Sequence, residues 1–178
     1  MKCIESRGYN MLSKNEHKTK NTGGTMAKRI RNFKKILVPV DFTPASESAL
    51  KYGLSLATKY GGKLFVLHVV NLRGELAGFY IPHLSFEKLD DEMKKGAGEM
   101  LEKFTKRILK GFKNFEKVLL CGTPYLEIVR YAREENMDII VMGTFGRSGI
   151  EGYLFGSTTE RVMKNAEVPV LVVPPLKR

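Results

Sequence analysis

Residues 143–157, GTFGRSGIEGYLFGS, carry the residue types that bind anions through the backbone. They follow the apolar run Asp138-Ile139-Ile140-Val141-Met142, space their glycines as Gly143-x2-Gly146-x9-Gly156-Ser157, and lead into a helical pattern. A glycine reaches positive φ without a Cβ clash, so a strand, a glycine loop and a helix in that order can turn successive N–H groups toward one point. The start of the helix adds unpaired N–H groups and the positive end of its dipole. A phosphate is the ligand that fits this chemistry. Ser157 also has a simpler reading, because with Glu160 three residues later it makes a capping box for its own helix. The second reactive feature is Asp41, which closes the run Ile36-Leu37-Val38-Pro39-Val40. It either touches a ligand or favours the dipole of the helix that follows, the latter worth about 0.3 to 1 kcal/mol.

Other phosphate and metal chemistries find no support. There is no Gly-x4-Gly-Lys-Ser/Thr loop and no Gly-x-Gly-x2-Gly opening the first helix. His17, His68 and His83 are scattered without ligand spacing, so no metal is expected beyond one carried by a nucleotide. No nucleophile stands beside a base, which makes a dedicated hydrolase hard to build.

The elements that position these residues alternate regularly. A first strand near 35–40 is an unbroken apolar run of the kind buried on both faces of a parallel sheet, with Pro39 tolerable near its end. Thr43-Pro44 reads as N-cap and first residue of a helix with inner face Ala49, Gly53, Leu56, Ala57 and Tyr60, stopped by Gly61-Gly62. A second strand spans 63–70, and an irregular stretch, 71–85, follows as a lid or dimer contact. Ser85 caps the longest helix, with a stripe of Leu89, Met93, Ala97, Met100, Phe104 and Ile108. A third strand near 115–120, a helix opened by Thr123-Pro124, a fourth strand over 137–142, a helix over 157–165 and a last strand over 168–173 complete the order. Pro169 argues that the last strand lies at an edge. The pattern predicts an α/β fold, a five-stranded parallel doubly wound sheet in the order 3-2-1-4-5 with helices on both faces. In that order the winding reverses between strands one and four, and ligands bind at their carboxyl ends. Asp41 and Gly143, about a hundred residues apart in sequence, are thereby expected to face one crevice, with Val69 and Val70 flanking it.

The glycine spacing after Met142-Gly143, the segment 36–43 (ILVPVDFT) and the segment 168–173 (VPVLVV) together resemble the universal stress protein family, in its ATP-binding branch, over residues 34–173. One departure is Phe145, where many members have His. The resemblance implies a Rossmann-like fold of the adenine nucleotide alpha hydrolase type, ATP with Mg²⁺ as ligand, and a homodimer joined through the last strand. It implies Val69 beside the adenine, Asp41 near the ribose, and Gly143, Gly146, Gly156, Ser157 and Thr158 on the phosphates. Pro39, Val40 and Met142 adjoin these positions, and Arg147 is a further phosphate candidate. The function implied is a nucleotide-dependent regulatory or stress-response module with a further protein partner. The alternatives are a slow ATPase or adenylyl-transfer enzyme with Asp41 positioning Mg²⁺ or water, and a nucleotide-free structural dimer whose basic tail contacts nucleic acid.

At 178 residues and 43% apolar composition the chain supports one core. Its formal charge of +11 is concentrated at the start, where residues 1–35 hold ten Lys/Arg against two Asp/Glu, leaving 20 against 17 elsewhere. Residues 1–33 are polar, lack any periodic apolar face and are expected to be a disordered basic extension, with 34–178 as the nucleotide-binding domain. Met26 opens a second start, so residues 1–25 are expected to add nothing to the fold. A solvated leader explains the tail more simply than nucleic acid does. Cys3 and Cys121 suggest no disulfide framework, no apolar run is long enough for a membrane span, and the start lacks a signal peptide, so a cytoplasmic protein is expected.

Overall fold

The computed structural model describes residues 4–5, 32–71, 86–144 and 155–175. Its elements are β1 (Ile4–Glu5), β2 (Lys35–Pro39), α1 (Pro44–Tyr60), β3 (Lys63–Val70), α2 (Phe86–Ile108), β4 (Phe115–Cys121), α3 (Pro124–Glu134), β5 (Ile139–Gly143), α4 (Ser157–Asn165) and β6 (Val170–Val173). All these strands pair in parallel, in the spatial order β1-β4-β3-β2-β5-β6. Counting only the five strands expected from sequence, β4-β3-β2-β5-β6 is the order 3-2-1-4-5.

Alternation along β2 divides the core. Ile36 and Val38 face α1 and α2, where they meet Leu50, Leu101 and Phe104, all buried. Leu37 faces the other way, into a cluster with Leu67, Ile128, Tyr131 and Val162 under α3 and α4. Both faces of the central strands are thus covered, which is why their sequences run apolar without a polar alternate. Each fully buried Leu or Ile contributes about 1.5 to 3 kcal/mol.

Local signals set the helix ends. Thr43, at φ −76°, accepts a hydrogen bond from Ser46 N–H ahead of Pro44, and Gly61, at φ 59°, ends α1 in the left-handed conformation. The long helix differs from expectation by one position. Met100 is 48% exposed while Leu101 is fully buried, so the buried stripe runs through Leu101 and Phe104, with the Thr105 hydroxyl donating back to Leu101 C=O. The strand expected from residue 137 begins at Ile139; just before it, the Asp138 carboxylate accepts from both Lys34 and Lys35 N–H, each at 2.8 Å. β6 begins after Pro169, whose carbonyl accepts from Ile140 N–H. No helix among the described residues is long and apolar enough to cross a membrane.

The start of the chain also departs from expectation. Ile4 and Glu5 pair with Leu120 and Cys121, occupying backbone groups on the outer edge of β4 that would otherwise be unpaired. Cys121 is disulfide-bonded, which overturns the expectation of two unlinked cysteines and removes the cysteine argument for a reducing compartment. Of the stretch 71–85, expected to be a lid or dimer contact, residues 72–85 lie outside the described residues.

Candidate functional site

The crevice follows from the pairing of β2. Its ladder to β3 runs the full length from Lys35 to Pro39, but its ladder to β5 covers only Ile36 and Leu37, opposite Ile139 and Ile140. Beyond those residues β2 and β5 part. Backbone groups alternate sides along a strand, and Val40 N–H donates to Leu67 C=O on β3, so the nitrogen of Pro39 faces β5. Having no N–H, it cannot extend that ladder. A proline tolerable only near a strand end thus stands where two neighbouring strands separate.

The turn after β2 is built on an unusual backbone. Phe42 has φ 68°, a conformation bulky residues avoid, and is held there by packing. Its ring lies 4.4 Å from that of His68 and 5.5 Å from that of Phe104, centre to centre, which draws it toward α2. His68 Nδ1–H donates to Val40 C=O at 2.7 Å and fixes the other side of the stack. Asp41 is then turned onto the helix that follows. Its Oδ1 accepts from Thr43 N–H at 3.1 Å and from the Thr43 hydroxyl at 2.6 Å, bracing the residue that caps α1. The hydrogen bonds of Asp41 among the described residues all go to Oδ1, leaving Oδ2 unengaged by the turn.

Across the crevice, Gly143 ends β5 against the first turn of α1. A Cβ at Gly143 would lie 2.7 Å from Ala45 Cβ and 2.8 Å from Ala45 C, so close approach, not positive φ, requires glycine here. Gly156 is likewise ordinary in backbone, at φ −69° and ψ 154°. The expectation that glycines there supply positive φ is therefore not met at either described position. The ends of the loop are joined by hydrogen bonds. Gly156 N–H donates to Thr144 C=O at 2.7 Å, and the Thr159 hydroxyl donates to Gly143 C=O at 2.9 Å.

The N-cap of α4 is Gly156, not Ser157, and no side chain caps it. Glu160 forms no capping box, because Lys164 takes its carboxylate at 2.6 Å and holds its pKa below the ordinary value. Glu160 N–H donates to Gly156 C=O. The N–H groups of Ser157, Thr158 and Thr159, between these two bonds, have no partner among the described residues. α1, by contrast, is capped by Thr43, and α3 keeps the buried carboxylate of Glu127, paired with Arg130, in its first turn. Ser157→Ala is accordingly expected to change unfolding free energy by no more than about 0.5 kcal/mol; a loss near ~1 kcal/mol in chemical denaturation would restore the serine as the cap.

The other expected residues fall into two groups. Val40 is buried with both backbone polar groups engaged, and the Met142 side chain belongs to the core under α3 and α4. Pro39 is buried, and Val69 is half-buried at the end of β3. Gly146 and Arg147 lie outside the described residues. Sequence reasoning passed over Phe42, Thr159 and Thr144. The Thr144 hydroxyl is buried with no hydrogen-bond partner among the described residues, a costly state unless something supplies one. Three N–H groups at the start of α4 and a hydroxyl at the end of β5, all without partners among the described residues, fit a phosphate-bearing ligand.

The family model of the universal stress protein family matches residues 32–174. Universal stress protein MJ0531 of Methanocaldococcus jannaschii is 34% identical over 146 residues, covering 82% of this chain and 85% of that protein. Universal stress protein MJ0577 of the same organism is 34% identical over 154 residues, covering 79% and 94%. Its solved structure superposes with a TM-score of 0.70 at 29% identity, over 83% of this chain and 100% of that one. A universal stress protein of Archaeoglobus fulgidus, solved in complex with dAMP, shares the fold at 24% identity and a TM-score of 0.57, over 80% and 98%.

Proposed function

The chain belongs to the universal stress protein family, and on that premise we propose that it is an ATP-binding regulatory module. The observation that carries this reading is the uncapped start of α4, whose first three N–H groups, without partners among the described residues, stand at the mouth opened where β2 and β5 part. In this reading the phosphates lie on Ser157, Thr158 and the loop beginning at Gly143, with Gly146, Gly156 and Arg147 contributing, and the Thr144 hydroxyl finds its partner there. Asp41 meets the ribose through Oδ2, Val69 flanks the adenine, and Mg²⁺ arrives with the nucleotide. That a neighbour of the same fold was solved with dAMP supports an adenine nucleotide in this architecture. The test is calorimetric and thermal titration of protein stripped of bound ligand. With ATP at about a hundred times its dissociation constant, linkage adds ~2.7 kcal/mol, or about 5 to 10 °C in Tm for a chain of this size. No heat and no shift at millimolar ATP would refute the reading.

The same proposal includes a homodimer through β6. That strand pairs with β5 on one side only among the described residues, and Val170, Leu171 and Val172 are each half-buried. Among the described residues Val172 joins no core cluster, which leaves it open to a partner strand. Val172→Lys places a charge on the open edge and is expected to give monomers of unchanged fold. Light scattering that still reports a dimer would put the contact elsewhere.

A further inference from the structure

We infer that Thr159 is a positioning residue for the phosphate part of the ligand, acting through the carbonyl of Gly143; this rests on the ATP-binding reading above. Two hydrogen bonds join α4 to the end of β5, Gly156 N–H to Thr144 C=O and Thr159 Oγ1–H to Gly143 C=O. The acceptors are consecutive residues. The donors are three apart, close to one helical turn. Val162, fully buried in the core, sets the general rotation of α4, and two attachments a turn apart fix its first turn in place and direction, which the bond at Gly156 alone would hold at one point only. The N–H groups of Ser157, Thr158 and Thr159, without partners among the described residues, lie between the two attachments, so their direction depends on the second one. Thr159 is 4% exposed, and among the described residues its hydroxyl is the only side-chain donor that ties α4 to β5. Among the described residues no comparable tie reaches the nucleoside side, where Asp41, in the turn after β2, and Val69, on β3, are fixed by Phe42, His68 and the β2–β3 ladder.

The effect should therefore fall on phosphate recognition and spare the nucleoside. Dissociation constants for ATP and for adenosine are measured on the full chain by competition against a fluorescent ATP analogue, for the unmodified protein, Thr159→Val and Thr159→Ser. Thr159→Val is nearly isosteric but lacks the hydroxyl. It is expected to weaken ATP about tenfold, the scale of one lost hydrogen bond to an oriented group, while adenosine changes less than about twofold. Thr159→Ser, which keeps the oxygen, is expected to stay within about twofold for both. If Thr159→Val does not fold, Thr159→Ala is read by the same ratio. A purely structural threonine would lower Tm and leave the ATP-to-adenosine ratio unchanged, and that result overturns the inference. Failure of the unmodified protein to bind ATP refutes the functional reading itself, so the two failures are distinguishable.

Discussion

Gly156→Asp is expected to leave the nucleotide-free protein at least as stable as the unmodified chain and to abolish ATP binding. The backbone at residue 156, φ −69° and ψ 154°, is one that any residue adopts, so a side chain costs no strain there. Aspartate is a preferred N-cap, and its carboxylate would accept from the first-turn N–H groups, which have no partner among the described residues. Cap and dipole together contribute about 0.5 to 1.5 kcal/mol, a Tm rise of about 1 to 6 °C. The same carboxylate would occupy the donors assigned to phosphate and repel its charge. At an effective dielectric near ~20 and a separation of about 4 Å this repulsion is ~4 kcal/mol, so a hundredfold loss of affinity is a modest expectation. A site elsewhere would not feel the change. Titration showing an ATP affinity within about threefold of the unmodified protein would remove α4 from the phosphate site.

Gly143→Ala should act in the opposite sense on stability. Its Cβ would meet Ala45 Cβ, C and O at 2.7, 2.8 and 2.9 Å, and two of those atoms are backbone of the first turn of α1. Neither a rotamer change nor a flexible side-chain end can relieve that overlap. Overpacking of this kind costs about 1 to 3 kcal/mol, or about 2 to 12 °C in Tm. The displaced turn carries the Thr43 cap and, through it, the bracing of Asp41, so ATP affinity should fall as well. Gly156→Ala serves as the control, since its backbone suits any residue and it should cost only the N-cap preference of glycine over alanine, about 0.5 to 1 kcal/mol. Equal melting temperatures for Gly143→Ala and the unmodified protein would show that β5 and α1 do not touch in this way.

Most of the fold was legible because its signals are local or repeated. Continuous apolar runs announced strands covered on both faces, and Thr43-Pro44 with Gly61 bracketed α1 to the residue. The strand order then placed Asp41 and Gly143 at the two strands that part. What escaped was decided by tertiary contact or by a shift of one residue. Ser157 and Glu160 satisfy the capping pattern, yet the helix takes Gly156 as its cap and Lys164 takes the glutamate. Leu101 displaces Met100 from the core because both fit the helical period and only the docking of α2 chooses between them. Nothing in a Phe at position 42 suggests a left-handed backbone, which the rings of His68 and Phe104 impose. The tie between Thr159 and Gly143 joins residues 16 apart across the loop, and no periodicity points to it. Glycine is needed at 143 for a different reason from the one expected, since a neighbouring helix, not a twisted backbone, excludes its side chain.

The two rims of the sheet are unequal. On the β4 side, Ile4 and Glu5 cover Leu120 and Cys121, and the uncovered stretch carries Glu116 and Lys117, with Glu116 bound to Lys63 and Lys117 to Glu102. On the β6 side, Val170–Val173 presents four aliphatic residues and no charge. Strand addition needs an open rim on each participant, and a molecule with one such rim has a valence of one. Two copies meeting there consume both valences, and growth stops. A molecule open on both sides would instead add copies without limit, as fibres do. The charged and partly covered rim of β4 would then act as a terminator, and the proposed β6 dimer would remain a finite particle at high concentration.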